Sequence, residues 1–80
     1  MKSIELVVPK LGMDTTEANV ALWMFNEGDS IEIGTELVEL ETEKTNFVVE
    51  SEVQGKLAKI VQPQGAVVPV GAVLAILEAE

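Results

Sequence analysis

The two halves of this 80-residue chain repeat each other at an offset of 37 positions. Gly28 falls on Gly65 and Gly34 falls on Gly71, and glycine marks backbone that needs a positive φ or a close approach. A repeat of this kind means that neither half buries its own apolar face, so the halves must dock. The other matched pairs are Ala21/Ala58, Leu37/Leu74, Leu40/Leu77 and Glu41/Glu78, with Val20/Leu57, Trp23/Ile60, Ile31/Val68 and Ile33/Val70 alike in kind.

Short apolar segments separated by turn residues predict an all-β fold. The stretches Asn26-Glu27-Gly28-Asp29 and Pro63-Gln64-Gly65 are typical of turns, and no segment has a helical apolar period with caps. Eight short strands with turns this frequent indicate a sandwich or flattened barrel, and residues 1–80 suffice for one domain. The predicted strands are 4–8, 17–25, 31–33, 37–41, 47–50, 56–61, 67–70 and 73–77.

One core drawn from both halves is predicted, with Trp23 within it. Leu22 and Met24 flank this tryptophan, so strict alternation would push apolar side chains outward. Either a bulge buries residues from both faces, or a small apolar patch is exposed. The predicted core comprises Val20, Trp23, Ile31, Ile33, Leu40, Leu57, Ile60, Val68, Val70, Leu74 and Leu77.

Lys44 stands alone in the acidic run Glu39-Leu40-Glu41-Thr42-Glu43-Lys44-Thr45, close to the middle of the chain. If a twofold axis relates the halves, this mid-chain segment lies at one end of the barrel and the paired chain termini lie at the other. We therefore expect Lys44 at an exposed hairpin tip, although its neighbours are not a strong hairpin sequence such as Asn-Gly. A lysine held there is a place for covalent modification, or it only offsets the surrounding acidic charge.

Charge and composition exclude several classes of function. The net charge is −9 with five lysines and no arginine, which disfavours nucleic acids and anionic membranes and favours partners with a basic surface. Histidine and cysteine are absent, so we expect no catalytic residues and no metal ligands. Asp14 and Glu17 lack the spacing of an EF-hand calcium loop. No segment is apolar enough for a membrane span or a secretory signal, so we expect a cytoplasmic or organelle-matrix location.

Several motifs in order resemble the lipoyl domains of 2-oxo acid dehydrogenase complexes, within the biotinyl/lipoyl carrier family. The resemblance extends over essentially the whole chain. Singly these motifs are weak, but together they are specific. They are Val8-Pro9-Lys10-Leu11-Gly12-Met13, Trp23, Glu27-Gly28-Asp29, Gly34, Glu39 to Lys44, Gly55, Gly65 and Gly71.

This resemblance implies a flattened barrel of two four-stranded antiparallel sheets, with lipoic acid in amide linkage to Nζ of Lys44. It implies partners that use the lipoyl arm: a thiamine-diphosphate decarboxylase component, an acyltransferase domain and a flavin-dependent dihydrolipoyl dehydrogenase. A lipoate ligase or transferase would attach the cofactor, with Glu43 and Thr45 as flanking recognition residues. The domain itself would be a non-catalytic carrier, expected to be monomeric, excised from a larger protein such as a dihydrolipoyl acyltransferase, and cytoplasmic or, in a eukaryote, in the mitochondrial matrix.

Two alternatives stay open beside the lipoyl carrier. A biotin carrier has the same scaffold, but its lysine usually lies between two methionines, and here Glu43 and Thr45 flank Lys44. An unmodified interaction module is the other. The chain also departs from the lipoyl pattern in places, since Glu43 stands where aspartate is usual and Ala18 follows Glu17 where glycine is frequent.

Overall fold

The structure, a computed structural model, describes residues 2–80. All eight predicted strands are present, with shifts of one or two residues at most ends, and no helix occurs among the described residues. No helix in this part of the chain could therefore cross a membrane. The strands are β1 (Lys2–Val7), β2 (Glu17–Trp23), β3 (Ser30–Ile31), β4 (Glu36–Glu41), β5 (Asn46–Glu50), β6 (Gly55–Ile60), β7 (Val67–Pro69) and β8 (Val73–Ala79).

The strands form two four-stranded antiparallel sheets, in the orders β1-β8-β6-β3 and β5-β4-β2-β7. Replacing β1, β8, β6 and β3 by their repeat counterparts β5, β4, β2 and β7 turns the first order into the second. The predicted pseudo-twofold architecture is confirmed. The two sheets form the predicted flattened barrel, and its extents of 36 × 21 × 18 Å show that it is elongated along one axis.

The two halves are joined by reciprocal backbone hydrogen bonds. The Gly28 N–H donates to the Leu57 carbonyl at 2.7 Å, and the Gly65 N–H donates to the Val20 carbonyl at 2.8 Å. Leu57 is the repeat counterpart of Val20, so each half uses its glycine turn to bond the long strand of the other. Buried backbone groups need such partners, and here neither half has them without the other.

The buried residues form one core from both halves, and most of the predicted members lie in it. Leu37, Val38 and Ala75 are also buried and were not predicted, because alternation alone does not show that both faces of the central strands are covered. Trp23 and Ile60 are half-buried at the edge of this core. The buried apolar residues are Leu6, Val8, Leu11, Ala18, Val20, Ile31, Leu37, Val38, Leu40, Val49, Leu57, Val68, Leu74, Ala75 and Leu77.

Two core predictions, Ile33 and Val70, are wrong. Ile33 is 72% exposed and Val70 is 39% exposed. Each is the second residue of a β-turn whose third residue, Gly34 or Gly71, has φ near +90°. The first of these turns is closed by a hydrogen bond from the Thr35 N–H to the Glu32 carbonyl, at 3.0 Å. A residue at the corner of such a turn points into solvent, so this apolar pair was mistaken for continued strand.

The bulge expected around Trp23 is present, and of its two apolar neighbours Leu22 is exposed while Met24 is half-buried. The register of β2 shifts between Val20 and Leu22, which marks a bulge, and Leu22 is nevertheless 46% exposed. Beyond the bulge, Trp23 lies opposite the fully buried Val38 on β4. The indole Nε1–H donates to the Gln62 carbonyl at 2.8 Å, which ties β2 to the segment after β6.

Trp23→Ala is expected to lower the free energy of unfolding by about 2–3 kcal/mol, below the roughly 3–5 kcal/mol typical of a fully buried aromatic, since the indole is only half-buried. Trp23→Phe keeps most of the ring contacts and loses the hydrogen bond, so its cost should be about 1 kcal/mol. Thermal unfolding followed by circular dichroism measures both. An unchanged melting temperature in Trp23→Ala would show that the indole does not support the core.

Candidate functional site

Lys44 lies at the tip of the hairpin that joins β4 and β5. These strands pair antiparallel up to Glu41 opposite Asn46, and Thr42–Thr45 forms the connection beyond that pair. Lys44 is exposed, with Glu41 and Glu43 beside it in the chain. The predicted location of the lysine is confirmed. Its role and those of its neighbours Glu43 and Thr45, both also exposed, remain predictions.

The side chain of Thr42 closes this tip. Its hydroxyl accepts hydrogen bonds from the backbone N–H of Lys44 at 3.3 Å and of Thr45 at 3.2 Å, and it donates to the Thr45 carbonyl at 2.8 Å. The Thr42 N–H also donates to the Thr45 carbonyl, at 2.9 Å. Sequence reasoning missed Thr42, although a threonine at the first position of a turn can form such local hydrogen bonds to the backbone.

The acids around Lys44 are not equivalent. The Glu39 carboxylate accepts a hydrogen bond from Asn46 Nδ2 at 3.1 Å, so it ties β4 to β5 below the tip. Glu41 and Glu43 are exposed, so their charges are available to a docking protein. In an exposed site such charges mainly steer encounter and select partners.

A shallow groove of about 430 Å³ adjoins the lysine. One wall is the hairpin from Glu41 to Lys44, and the other is the segment from Asp14 to Asn19 that leads into β2. Asp14 and Glu17 thus lie across the groove from the tip. Within residues 2–80, no group of three or more histidine, cysteine, aspartate or glutamate side chains is placed to hold a metal ion.

The other four lysines are exposed but lie in different settings. Lys2 pairs with Ala79 in the sheet that joins the two chain ends. Lys56 and Lys59 belong to β6, and Lys10 lies in the loop after β1. Among the described residues, only Lys44 combines an accessible amine with a hairpin turn. Because it projects from a turn, such an amine can reach into the active site of an enzyme that transfers an acyl group to it.

The motif Glu27-Gly28-Asp29 has a structural role. Glu27 Oε2 accepts a hydrogen bond from the Ile60 N–H at 2.8 Å, and Asp29 Oδ2 accepts one from the Asn26 N–H at 2.8 Å. The first bond joins the two halves, and the second closes the turn before β3. These acids therefore stabilise the scaffold, and they do so at a turn that is distant in sequence from Lys44.

Comparison with known proteins agrees with this geometry. A family model described as biotin-requiring enzyme matches residues 4–77. The chain is 44% identical over 75 residues to the dihydrolipoyllysine-residue acetyltransferase component of the pyruvate dehydrogenase complex of Rickettsia bellii, covering 92% of this chain and 18% of that protein. It is likewise 44% identical over 75 residues to the dihydrolipoyllysine-residue succinyltransferase component of the 2-oxoglutarate dehydrogenase complex of Bartonella vinsonii, covering 94% of this chain and 18% of that one.

Among solved structures, the chain resembles the solution structure of the lipoyl domain of the 2-oxoglutarate dehydrogenase complex from Azotobacter vinelandii. The TM-score is 0.77 at 27% sequence identity, and the match covers 96% of this chain and 99% of that one. The chain spans less than a fifth of the length of the two acyltransferase components named above.

Proposed function

The chain belongs to the biotinyl/lipoyl carrier family as a lipoyl domain, and we propose that it carries lipoic acid in amide linkage to Nζ of Lys44. The observation that supports this most is the position of Lys44. It is exposed at the tip of a hairpin that is bonded both across its base and within its turn.

The chain's own contribution to attachment is a reachable, nucleophilic amine. In its neutral form, Nζ would supply the nucleophile for an amide bond with the carboxyl group of lipoate, once an attaching enzyme has activated that group. The new carbon–nitrogen bond would replace the bond to the activating group, which would leave with the electron pair, and Nζ would lose a proton. The product is a neutral amide, so the formal net charge falls by one from −9.

We further propose that the domain serves a 2-oxo acid dehydrogenase complex as part of an acyltransferase component, as the names of its relatives suggest. Lipoate supplies a dithiolane that accepts an acyl group and two electrons, which a chain without cysteine cannot do itself. The scaffold holds the lysine away from both sheets so that the active sites of a thiamine-diphosphate decarboxylase, an acyltransferase and a dihydrolipoyl dehydrogenase can each receive it. Tethering within one assembly raises its concentration at each site.

The remaining parts of the proposal follow from surface chemistry. Glu43 and Thr45 flank the lysine, are both exposed, and would be recognised by the attaching enzyme. The acidic surface would favour partners with basic docking faces. The isolated domain would be a monomer, in the cytoplasm or in the mitochondrial matrix of a eukaryote.

Biotin is the second candidate, because the matching family model is described by its biotin-requiring members. Intact mass spectrometry after expression in a host that has both lipoate and biotin ligases separates the candidates. We expect the mass of one lipoyl group to be added per chain. A biotinyl adduct would establish the alternative, and an unmodified chain in the presence of active ligase would favour an interaction module.

A further inference from the structure

The hairpin tip forms a two-residue connection without the glycine or asparagine that such connections usually contain. Two-residue hairpin connections favour turns with positive φ, which is why Asn-Gly and Gly-containing pairs dominate them. The connection here is Glu43-Lys44, and among residues 2–80 only glycines have positive φ. The backbone alone therefore does not supply the preferred hairpin turn at this position.

The Thr42 hydroxyl supplies the missing closure. The Thr45 N–H, which in a simple β-turn would donate to the backbone carbonyl three residues earlier, donates instead to Thr42 Oγ1 at 3.2 Å. The same oxygen accepts the Lys44 N–H at 3.3 Å and donates its own proton to the Thr45 carbonyl at 2.8 Å. One half-buried side chain thus bonds both peptide groups that flank the lysine.

We infer that Thr42 is a positioning residue for covalent attachment at Lys44. It acts by holding the peptide groups on both sides of Lys44 in one orientation, so that the lysine side chain projects from the tip in a fixed direction. This inference rests on the proposed role of Lys44 as the acceptor. Without the hydroxyl, the hairpin stays paired through β4 and β5, while the tip samples several conformations and presents the amine correctly for only part of the time.

The test compares Thr42→Val, which keeps the branched shape and removes the hydroxyl, with Thr42→Ser, which keeps the hydroxyl. Thr35→Val is the matched control. The Thr35 hydroxyl also closes a turn, accepting the Glu32 N–H at 3.1 Å, but it lies at the opposite end of β4 from the tip. Each variant is treated with lipoate ligase, adenosine triphosphate and lipoate at a temperature where circular dichroism shows it to be folded.

Initial rates by intact mass should show kcat/KM for Thr42→Val about five- to tenfold below wild type, as expected for losing one to two net hydrogen bonds. Thr42→Ser should recover to within about twofold of wild type, and Thr35→Val should match wild type. Amide hydrogen exchange at Lys44 and Thr45 should accelerate in Thr42→Val and not in Thr35→Val.

Three results would overturn the inference. Thr42→Val could accept lipoate at the wild-type rate despite faster exchange at Thr45. Thr35→Val could be slowed as much as Thr42→Val, which would point to general destabilisation. Thr42→Ser could fail to recover, which would remove the hydroxyl as the cause. A wild-type domain that takes no lipoate in the same assay overturns the proposed function itself, and the role of Thr42 falls with it.

Discussion

Lys44→Arg should take no measurable lipoate, a loss of at least about a hundredfold in attachment rate. The arginine side chain keeps the positive charge and the length needed to stay at the tip, so docking of the ligase through Glu43 and Thr45 should survive. Its guanidinium remains protonated at any accessible pH and offers no neutral amine to form the amide. The loss would thus reflect the missing nucleophile and not a missing contact.

Peptide mapping of ligase-treated protein checks this result. Lys56→Arg is the matched control, because that lysine is exposed on β6 and its replacement should leave the attachment rate unchanged. Lipoylation of Lys44→Arg to the wild-type extent would mean that another lysine is the acceptor.

A variant that exchanges Glu43 and Lys44 tests the exact placement of the amine. It keeps composition and charge but moves the lysine to the first of the two residues at the tip. Neighbouring positions project differently, so we expect attachment to fall by about tenfold or more. An unchanged rate would show that the ligase requires only a lysine near the end of the hairpin.

Among substitutions that add a single methyl group at a glycine, Gly55→Ala should lower the stability of the scaffold the most. A Cβ placed on Gly55 would lie 1.7 Å from the Glu78 carbonyl oxygen and 3.1 Å from Ala79 Cα, on the neighbouring strand β8. Both obstacles are backbone, so β6 and β8 must separate to make room. We expect a loss of at least about 3 kcal/mol, a large share of the roughly 5–15 kcal/mol typical of small domains.

Urea or thermal unfolding measures this cost, and a 3 kcal/mol loss corresponds to a melting temperature lower by about 12–24 °C in a domain of this size. Gly65→Ala is the graded control. Its Cβ would meet no atom within 4 Å, but its φ of +95° strains any other residue, so its cost should be about 1–2 kcal/mol. A Gly55→Ala domain that melts within a few degrees of wild type would contradict the close approach seen between the strands.

Ala18, the repeat counterpart of Gly55, shows why the two positions differ. Ala18 stands where the lipoyl pattern often has glycine, yet it is buried at 4% exposure and pairs with Val68 of β7. Gly55 lies between two strands, paired with Ile31 of β3 and Ala79 of β8. The same place in the repeat therefore tolerates a methyl group in one half and excludes it in the other.

The features that arise from local chemistry and from the repeat could be predicted from the amino-acid sequence. Glycine-containing turns separated eight strands, and the 37-residue offset predicted that two similar halves dock. The same symmetry predicted that Lys44 lies at the end of the barrel away from the chain termini. The two termini lie together, since Lys2 pairs with Ala79 in one sheet. These predictions hold because turn preference and alternation act over a few residues, and a repeat transfers one half's geometry to the other.

The burial of individual apolar residues and the pairing of polar groups could not be predicted, because both depend on how the strands pack. Ile33 and Val38 are both β-branched apolar residues, but Ile33 lies at a turn corner in solvent, and Val38 is fully buried opposite Trp23 on the neighbouring strand. The hydrogen bonds of the Thr42 hydroxyl and the crowding at Gly55 depend on how closely separate parts of the backbone approach each other. Burial and close contact are properties of the packed strands together, and no single segment's pattern contains them.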